Sequence, residues 1–196
     1  MTDTTKRPAT RDRERTRQAV LTATGQLLQE RGMRFSIADV AAAADISKGG
    51  VLYHFPNREA LLAAVVEHAI ARFRSEVMDH TDIAENRAGK LLRGYVRALC
   101  GGSEEAIRTF APFTHWAGIE EIPEIAELLR ADAEWWRTAL LRDGLSASRT
   151  HTVRFAAEGV AAAIASDVSY ITDDELALTR AALLELAEPA PDGSDR

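Results

Sequence analysis

A single cysteine in 196 residues, Cys100, leaves no partner inside the chain, which excludes an intrachain disulfide framework and fits a reducing compartment. Long apolar runs are also missing. The candidate stretch at residues 60–66 is bounded by Glu59 and Glu67 and is far too short to span a bilayer. The N-terminus is rich in Thr, Lys, Arg and Asp, with none of the apolar core of a secretory signal, so a cytoplasmic protein is expected. Catalytic signatures are absent: there is no GxSxG elbow, phosphate-binding loop or GxGxxG turn. The histidines His54, His68, His80, His115 and His151 show no metal-ligand spacing, and we expect neither an enzyme nor a cofactor nor a bound metal. No strand-period alternation and no repeat is seen. What remains is helical periodicity throughout, predicting an all-α fold of about nine helices.

The net charge of −6 argues against a general nucleic-acid coat, but it hides an asymmetry. Residues 1–60 hold 10 Lys/Arg against 7 Asp/Glu, net +3, and residues 61–196 hold 14 against 23, net −9. A basic first third can displace counterions from phosphates while an acidic remainder stays clear of them. Within the basic part, Ile37, Val40, Ala41 and Ala44 fall on one face of a short helix. Ser36 and Asp39 form a capping-box pattern at its start. Ser47 is a second N-cap only a few residues on, and so short a gap predicts a helix-turn-helix whose second helix, Ser47-Lys48-Gly49-Gly50-Val51-Leu52-Tyr53-His54-Phe55, can enter a major groove.

At Ile46-Ser47-Lys48-Gly49, Leu52-Tyr53-His54-Phe55 and Glu59-Ala60-Leu61-Leu62 the chain resembles the tetracycline-repressor (TetR) family of bacterial regulators, over roughly residues 11–70. The resemblance implies phosphate contacts by Lys48, Tyr53 and His54, an effector pocket in the acidic helical part, and a dimer built from the last two helices. Three positions depart from the family pattern: Asp45 stands where Gly is usual, Gly50 where a side chain could reach a base, and Arg58 where Lys is usual. Asp tolerates a left-handed turn. Gly50 removes a possible base contact, and Arg58 keeps the charge. The candidate DNA-binding residues are Ser36, Ser47, Lys48, Gly49, Gly50, Tyr53, His54 and Arg58. Arg11, Arg13, Arg15 and Arg17 are either a solvated face or a DNA-contacting arm.

The expected organisation is a disordered arm (1–10), the helix-turn-helix domain (11–56), a helical effector-binding and dimerisation domain (57–188) entered by a connecting helix (57–79), and a disordered tail (189–196). In the acidic part the aromatics Tyr95, Phe110, Phe113, Trp116, Trp135 and Trp136, with Asp132 set in the apolar stripe Leu128, Leu129, Trp136, are the candidate ligand-binding residues. A carboxylate there needs a partner, either an internal arginine such as Arg97 or Arg108 or a cationic ligand. Small residues Ala156, Gly159, Ala163 and Ser166 at helical spacing would let another helix approach closely, and with the dimer that the resemblance implies they make Ala156, Gly159, Val160, Ala163 and Ile164, with Leu183 and Leu184 of the last helix, the candidate dimer interface. The resulting expectation is a ligand-responsive repressor that binds a palindromic operator in double-stranded DNA as a homodimer and is released by a small-molecule effector of aromatic or cationic character. An activator or a protein-controlled regulator of the same fold, and a helical binding protein with a vestigial helix-turn-helix, are the alternatives.

Overall fold

The computed structural model describes residues 7–101, 106–107, 110, 116, 118–166 and 171–190. Eight α-helices have described bounds: α1 (Arg7–Arg31), α2 (Ile37–Ala43), α3 (Lys48–His54), α4 (Arg58–Asp79), α5 (Lys90–Cys100), α6 (Pro123–Leu141), α7 (Ala147–Ala165) and α8 (Asp173–Leu186), with a 3-10 turn at Ile119–Glu121. Ala106, Ile107 and Phe110 are also helical, and there is no strand among the described residues. No helix among them is long and apolar enough to cross a membrane. Helix α1 begins at Arg7, inside the expected arm. Pro8 does not prevent this, because the first-turn N–H groups of a helix have no intrahelical acceptor to lose. Residues 1–6 and 191–196, Phe113, Arg108 and the expected break at Pro112 lie outside the described residues.

The chain divides into two compact units, residues 1–68 with 115–128, and residues 69–114 with 129–196. In the first, α2 packs on α1 and α3 around Val20, Leu21, Leu28, Val40, Val51, Leu61, Leu62 and Val66, all buried. Both anticipated caps form. Ser36 Oγ accepts from Asp39 N and Asp39 Oδ2 accepts from Ser36 N at 2.7 Å, while Ser47 Oγ accepts from Gly50 N at 3.0 Å. Between them Asp45 takes φ 53°, the left-handed geometry that lets so short a connection reverse the chain. Helix α4 starts under the Asn57 cap, whose Oδ1 accepts from Ala60 N at 2.7 Å.

In the second unit α5 is the central element. From Leu92 to Cys100 only Arg97 escapes burial, and α5 packs against α7 and α8, which also pack on each other. Helix α7 carries an apolar sequence on several faces but is covered on one: Val153, Ala157, Val160 and Ala161 are buried, whereas Thr152, Phe155, Gly159 and Ala162 are exposed. Helix α8 opens with a capping box between Thr172 and Glu175.

The α5 end of this unit is tied by a buried arginine. Arg93 is 1% exposed, and its guanidinium donates to Ala88 O at 2.9 Å, Ala187 O at 2.5 Å and Glu85 Oε1 at 3.1 Å. Gly89 N donates to Asp143 O and Leu92 N to Asp143 Oδ2. The start of α5, the α6–α7 turn and the end of α8 are thereby held together. Gly94 permits close approach of the Thr81 loop, since a Cβ there would lie 2.0 Å from Thr81 Oγ1.

Candidate functional site

The face of α3 is set by its burial pattern. Val51 and Phe55 point into the core at 0% and 3% exposure, which turns Lys48, Gly49, Leu52 and Tyr53 outward; Tyr53 is 69% exposed. The N-terminal turn of α3 is bare, as a Cβ on Gly49 would meet nothing nearer than Ser47 Oγ at 3.9 Å. Arg11, Arg13, Arg15 and Arg17, which the sequence left open between a solvated face and an arm, are helical, and their alternate spacing therefore splits between two faces. Arg13 and Arg17, four apart on α1, lie over the rings of Tyr53 and Phe55 at 5.2 and 5.5 Å. Arg15 pairs with Asp12 at 3.2 Å on the exposed side. Burial, then the charges of Arg13 and Arg17, push His54 below its ordinary pKa.

Of the eight residues expected at DNA, Lys48, Gly49, Gly50, Tyr53 and His54 share α3. The hydroxyls of Ser36 and Ser47 serve the caps of α2 and α3. Arg58 donates through Nη2 to Met33 O at 2.7 Å and lies over the Phe35 ring at 5.0 Å, so its guanidinium braces the α1–α2 turn.

The second unit holds a half-open cavity of about 270 Å³ lined by Ile70, Phe73, Tyr95, Phe110, Leu129, Asp132, Ala133, Trp136, Arg154 and Glu158. Four of these form an aromatic cage: Phe73 lies 5.6, 5.3 and 5.4 Å from Tyr95, Phe110 and Trp136, and Tyr95 lies 5.0 Å from Trp136. Edge and tilted contacts of this kind are favoured by ring quadrupoles. Two ion pairs border the cage. Asp132 Oδ1 accepts from Arg74 Nε at 2.8 Å and Nη2 at 2.5 Å, while Arg74 stacks on Trp135 at 4.0 Å. Glu158 Oε1 accepts from Arg154 Nε at 2.7 Å and from the Tyr95 hydroxyl at 2.8 Å. Burial raises the Asp132 carboxyl above its ordinary value against the opposing pull of Arg74. Burial and the Glu158 charge hold Tyr95 well above its ordinary value, as a neutral donor.

Of the expected ligand residues, Tyr95, Phe110, Asp132 and Trp136 line this cavity. Trp135 is 39% exposed beside it, and Trp116 is buried in the other unit. Among the described residues the internal partner of Asp132 is Arg74 and not Arg97; Arg108, the other arginine the sequence suggested, lies outside them. Arg74 follows Phe73 on α4 and is brought beside α6 only by tertiary packing. Arg154 and Glu158 were missed, although they are the only charges on α7 between Arg149 and its end and stand four apart, the spacing at which helical charges meet. Cys100 is buried, and burial pushes its thiol up to about 11, so it is no thiolate nucleophile at neutral pH.

Of the expected dimer residues, Ala156, Gly159, Val160 and Ala163 line a shallow groove with Ile171, Glu175 and Thr179 of the α8 side. Leu183 is buried in the unit's own core, and Leu184 and Ile164 pack against that core.

Residues 20–65 match the family of bacterial regulatory proteins called tetR, and residues 89–188 match the tetracyclin repressor-like C-terminal domain. The chain belongs to the tetracycline-repressor family. This transcriptional regulator is 28% identical over 163 residues, 76% of each chain, to the HTH-type transcriptional regulator BetI of Stenotrophomonas maltophilia. Among solved structures it is similar to a transcriptional regulator from Rhodococcus, with a TM-score of 0.70 at 17% identity over 87% of this chain and 95% of the other. It is also similar to NalD of Pseudomonas aeruginosa, the secondary repressor of the MexAB-OprM multidrug efflux pump, with a TM-score of 0.63 at 20% identity over 90% and 95%.

Proposed function

We propose that this regulator is a homodimeric repressor that binds a palindromic operator through Lys48, Tyr53 and His54 of α3 and is released when a small molecule enters the cavity of the second unit. The observation that carries the reading is the cavity itself: an apolar cage with a few polar groups at its rim is the usual form of a ligand site, and α4 supplies two of its walls, Ile70 and Phe73. Helix α4 starts at Arg58, with three residues between it and the end of α3 at His54. A ligand that moves α4 thus acts on the element that follows α3 directly, and a differential affinity for two α4 positions worth about 1–3 kcal/mol changes operator affinity roughly 5–150-fold. Two structural relatives, NalD and MexZ, are repressors by name, which favours repression over activation.

The exposed strip of α7 and the groove beside it support the dimer. A helix whose sequence is apolar around most of its girth but which is covered on one side needs a second cover, and two-fold pairing matches a palindromic site. Enriching operator sequences from random duplex, then titrating candidate effectors against the protein–operator complex, tests the reading. Recovery of an inverted repeat and its effector-dependent release are expected; enrichment without any symmetry overturns it.

A further inference from the structure

Resting on the operator reading above, the outward face of α3 points to which base it recognises. The helix runs from Lys48 to His54, and few of its groups can read a base edge by hydrogen bonding. Gly49 and Gly50 have no side chain, and Val51 is wholly buried. The Ser47 hydroxyl at the cap is engaged with Gly50 N at 3.0 Å. Tyr53 is flanked by the Arg13 guanidinium at 5.2 Å and by the His54 ring, edge-on, at 5.3 Å. Lys48, Tyr53 and His54 are assigned to phosphates in that reading. The outward side chain left over is Leu52, 39% exposed. It stands four residues after Lys48 and three after Gly49, so it shares a flank of the helix with both. A Cβ on Gly49 would meet nothing nearer than 3.9 Å, so nothing at that position separates Leu52 from a groove that the first turn enters.

We propose that Leu52 is a specificity-determining residue: it packs on the 5-methyl group of a thymine in the major groove of each operator half-site, and Gly49 and Gly50 let the first turn of α3 come close enough for the contact. An isobutyl group neither donates nor accepts a hydrogen bond. Among the base edges of the major groove, the methyl of thymine is the feature it can match, whereas the other signals there are donors and acceptors. Leucine pressed against the amino group of cytosine or the carbonyl of guanine would dehydrate it without pairing it, which is costly. The contact therefore selects as well as attracts. Covering one methyl is worth about fourfold in affinity.

Deoxyuridine in place of thymine deletes the methyl and keeps every hydrogen-bonding group of the base pair, so it isolates this contact. The full chain is used to enrich its site from random duplex, and that site is resynthesised with deoxyuridine at each thymine in turn and at all of them together. Fluorescence anisotropy gives the ratio of thymine-duplex to deoxyuridine-duplex affinity for wild type, Leu52→Ala and Leu52→Asn. In wild type, one thymine in each half-site is expected to lose about fourfold on replacement. Both variants should bind the two duplexes equally at that position, while Leu52→Met, which keeps an apolar side chain, should retain the ratio. A wild-type affinity that deoxyuridine leaves unchanged at every position overturns the assignment, and that comparison needs no variant. Folded Leu52→Ala or Leu52→Asn protein that keeps the wild-type ratio overturns it equally. Either outcome leaves the operator reading standing; if no duplex is enriched at all, that reading falls and the thymine contact with it.

Discussion

At the scale of single residues, the exposed Tyr53 ring carries the clearest expectation. An aromatic that is 69% exposed, turned away from the buried Val51 and Phe55, contributes little to folding and is free to contact a phosphate through its hydroxyl. Tyr53→Ala and Lys48→Ala should weaken operator binding with an unchanged melting temperature, and Lys48→Ala should lower the salt slope of log K by about 1. Fluorescence anisotropy over a salt series measures both. His54 adds a pH dependence. Its pKa is depressed in the free protein by burial and by Arg13 and Arg17, so the neutral form dominates at neutral pH. A nearby phosphate favours the imidazolium, so DNA binding should take up a proton. Affinity should rise as pH falls from about 6.5 toward the free-protein value, by at most about tenfold per unit. In folding the sign is opposite: the depressed pKa contributes stability above the unfolded value that is lost as pH falls through the folded one. His54→Gln should flatten the binding profile; an unaltered pH slope in that variant would remove His54 from the interface. The residues of α3 were legible because their motif is contiguous. The internal use of Arg58 was not, since its acceptor, Met33 O, lies 25 residues away in sequence.

At the scale of elements, α5 shows how packing overrides pattern. Its stripe of Leu92, Tyr95, Val96, Leu99 and Cys100 was readable from 3/4 spacing, whereas Arg93 reads as a solvent-facing charge and is in fact among the largest fully buried side chains. It is buried because the carbonyls of Ala88 and Ala187 and the Glu85 carboxylate converge on it, which a one-dimensional pattern cannot express. Arg93→Leu should destabilise the protein by about 1–3 kcal/mol, because the Ala88 and Ala187 carbonyls lose this donor while Glu85 keeps Arg87 as its partner at 2.9 Å. Chemical denaturation measures this directly. Gly94→Ala should cost about 1–3 kcal/mol through its clash with Thr81, a loss that Gly94→Ala with Thr81→Ala should partly recover; additivity of the two changes would refute the contact. The caps on α2 and α3 were readable from Ser36-Asp39 and Ser47 alone, because capping is local. The left-handed Asp45 was legible only through the family resemblance, as a position where Gly is usual.

For the whole molecule, the exposed strip of α7 is the feature a single chain leaves unexplained. A Cβ at Gly159 would meet nothing within 4 Å, so Gly159→Arg should leave the monomer folded while abolishing the proposed dimer, and with it tight binding to a two-half-site operator. Sedimentation equilibrium at micromolar concentration checks this; a dimer that persists in Gly159→Arg places the interface elsewhere. The sequence by itself determined the all-α class, the helix-turn-helix and its outward-facing residues, and the family, because helical periodicity, caps and a contiguous motif are written within a few residues of one another. Only the tertiary structure decided which aromatics share a cavity, that Trp116 is not among them, that Arg74 neutralises Asp132, and that Leu183 belongs to the core. Those outcomes depend on residues far apart in the chain meeting in space, as Arg74 meets Asp132 and Phe73 meets Trp136. Burial and charge pairing are properties of that meeting and of no single segment.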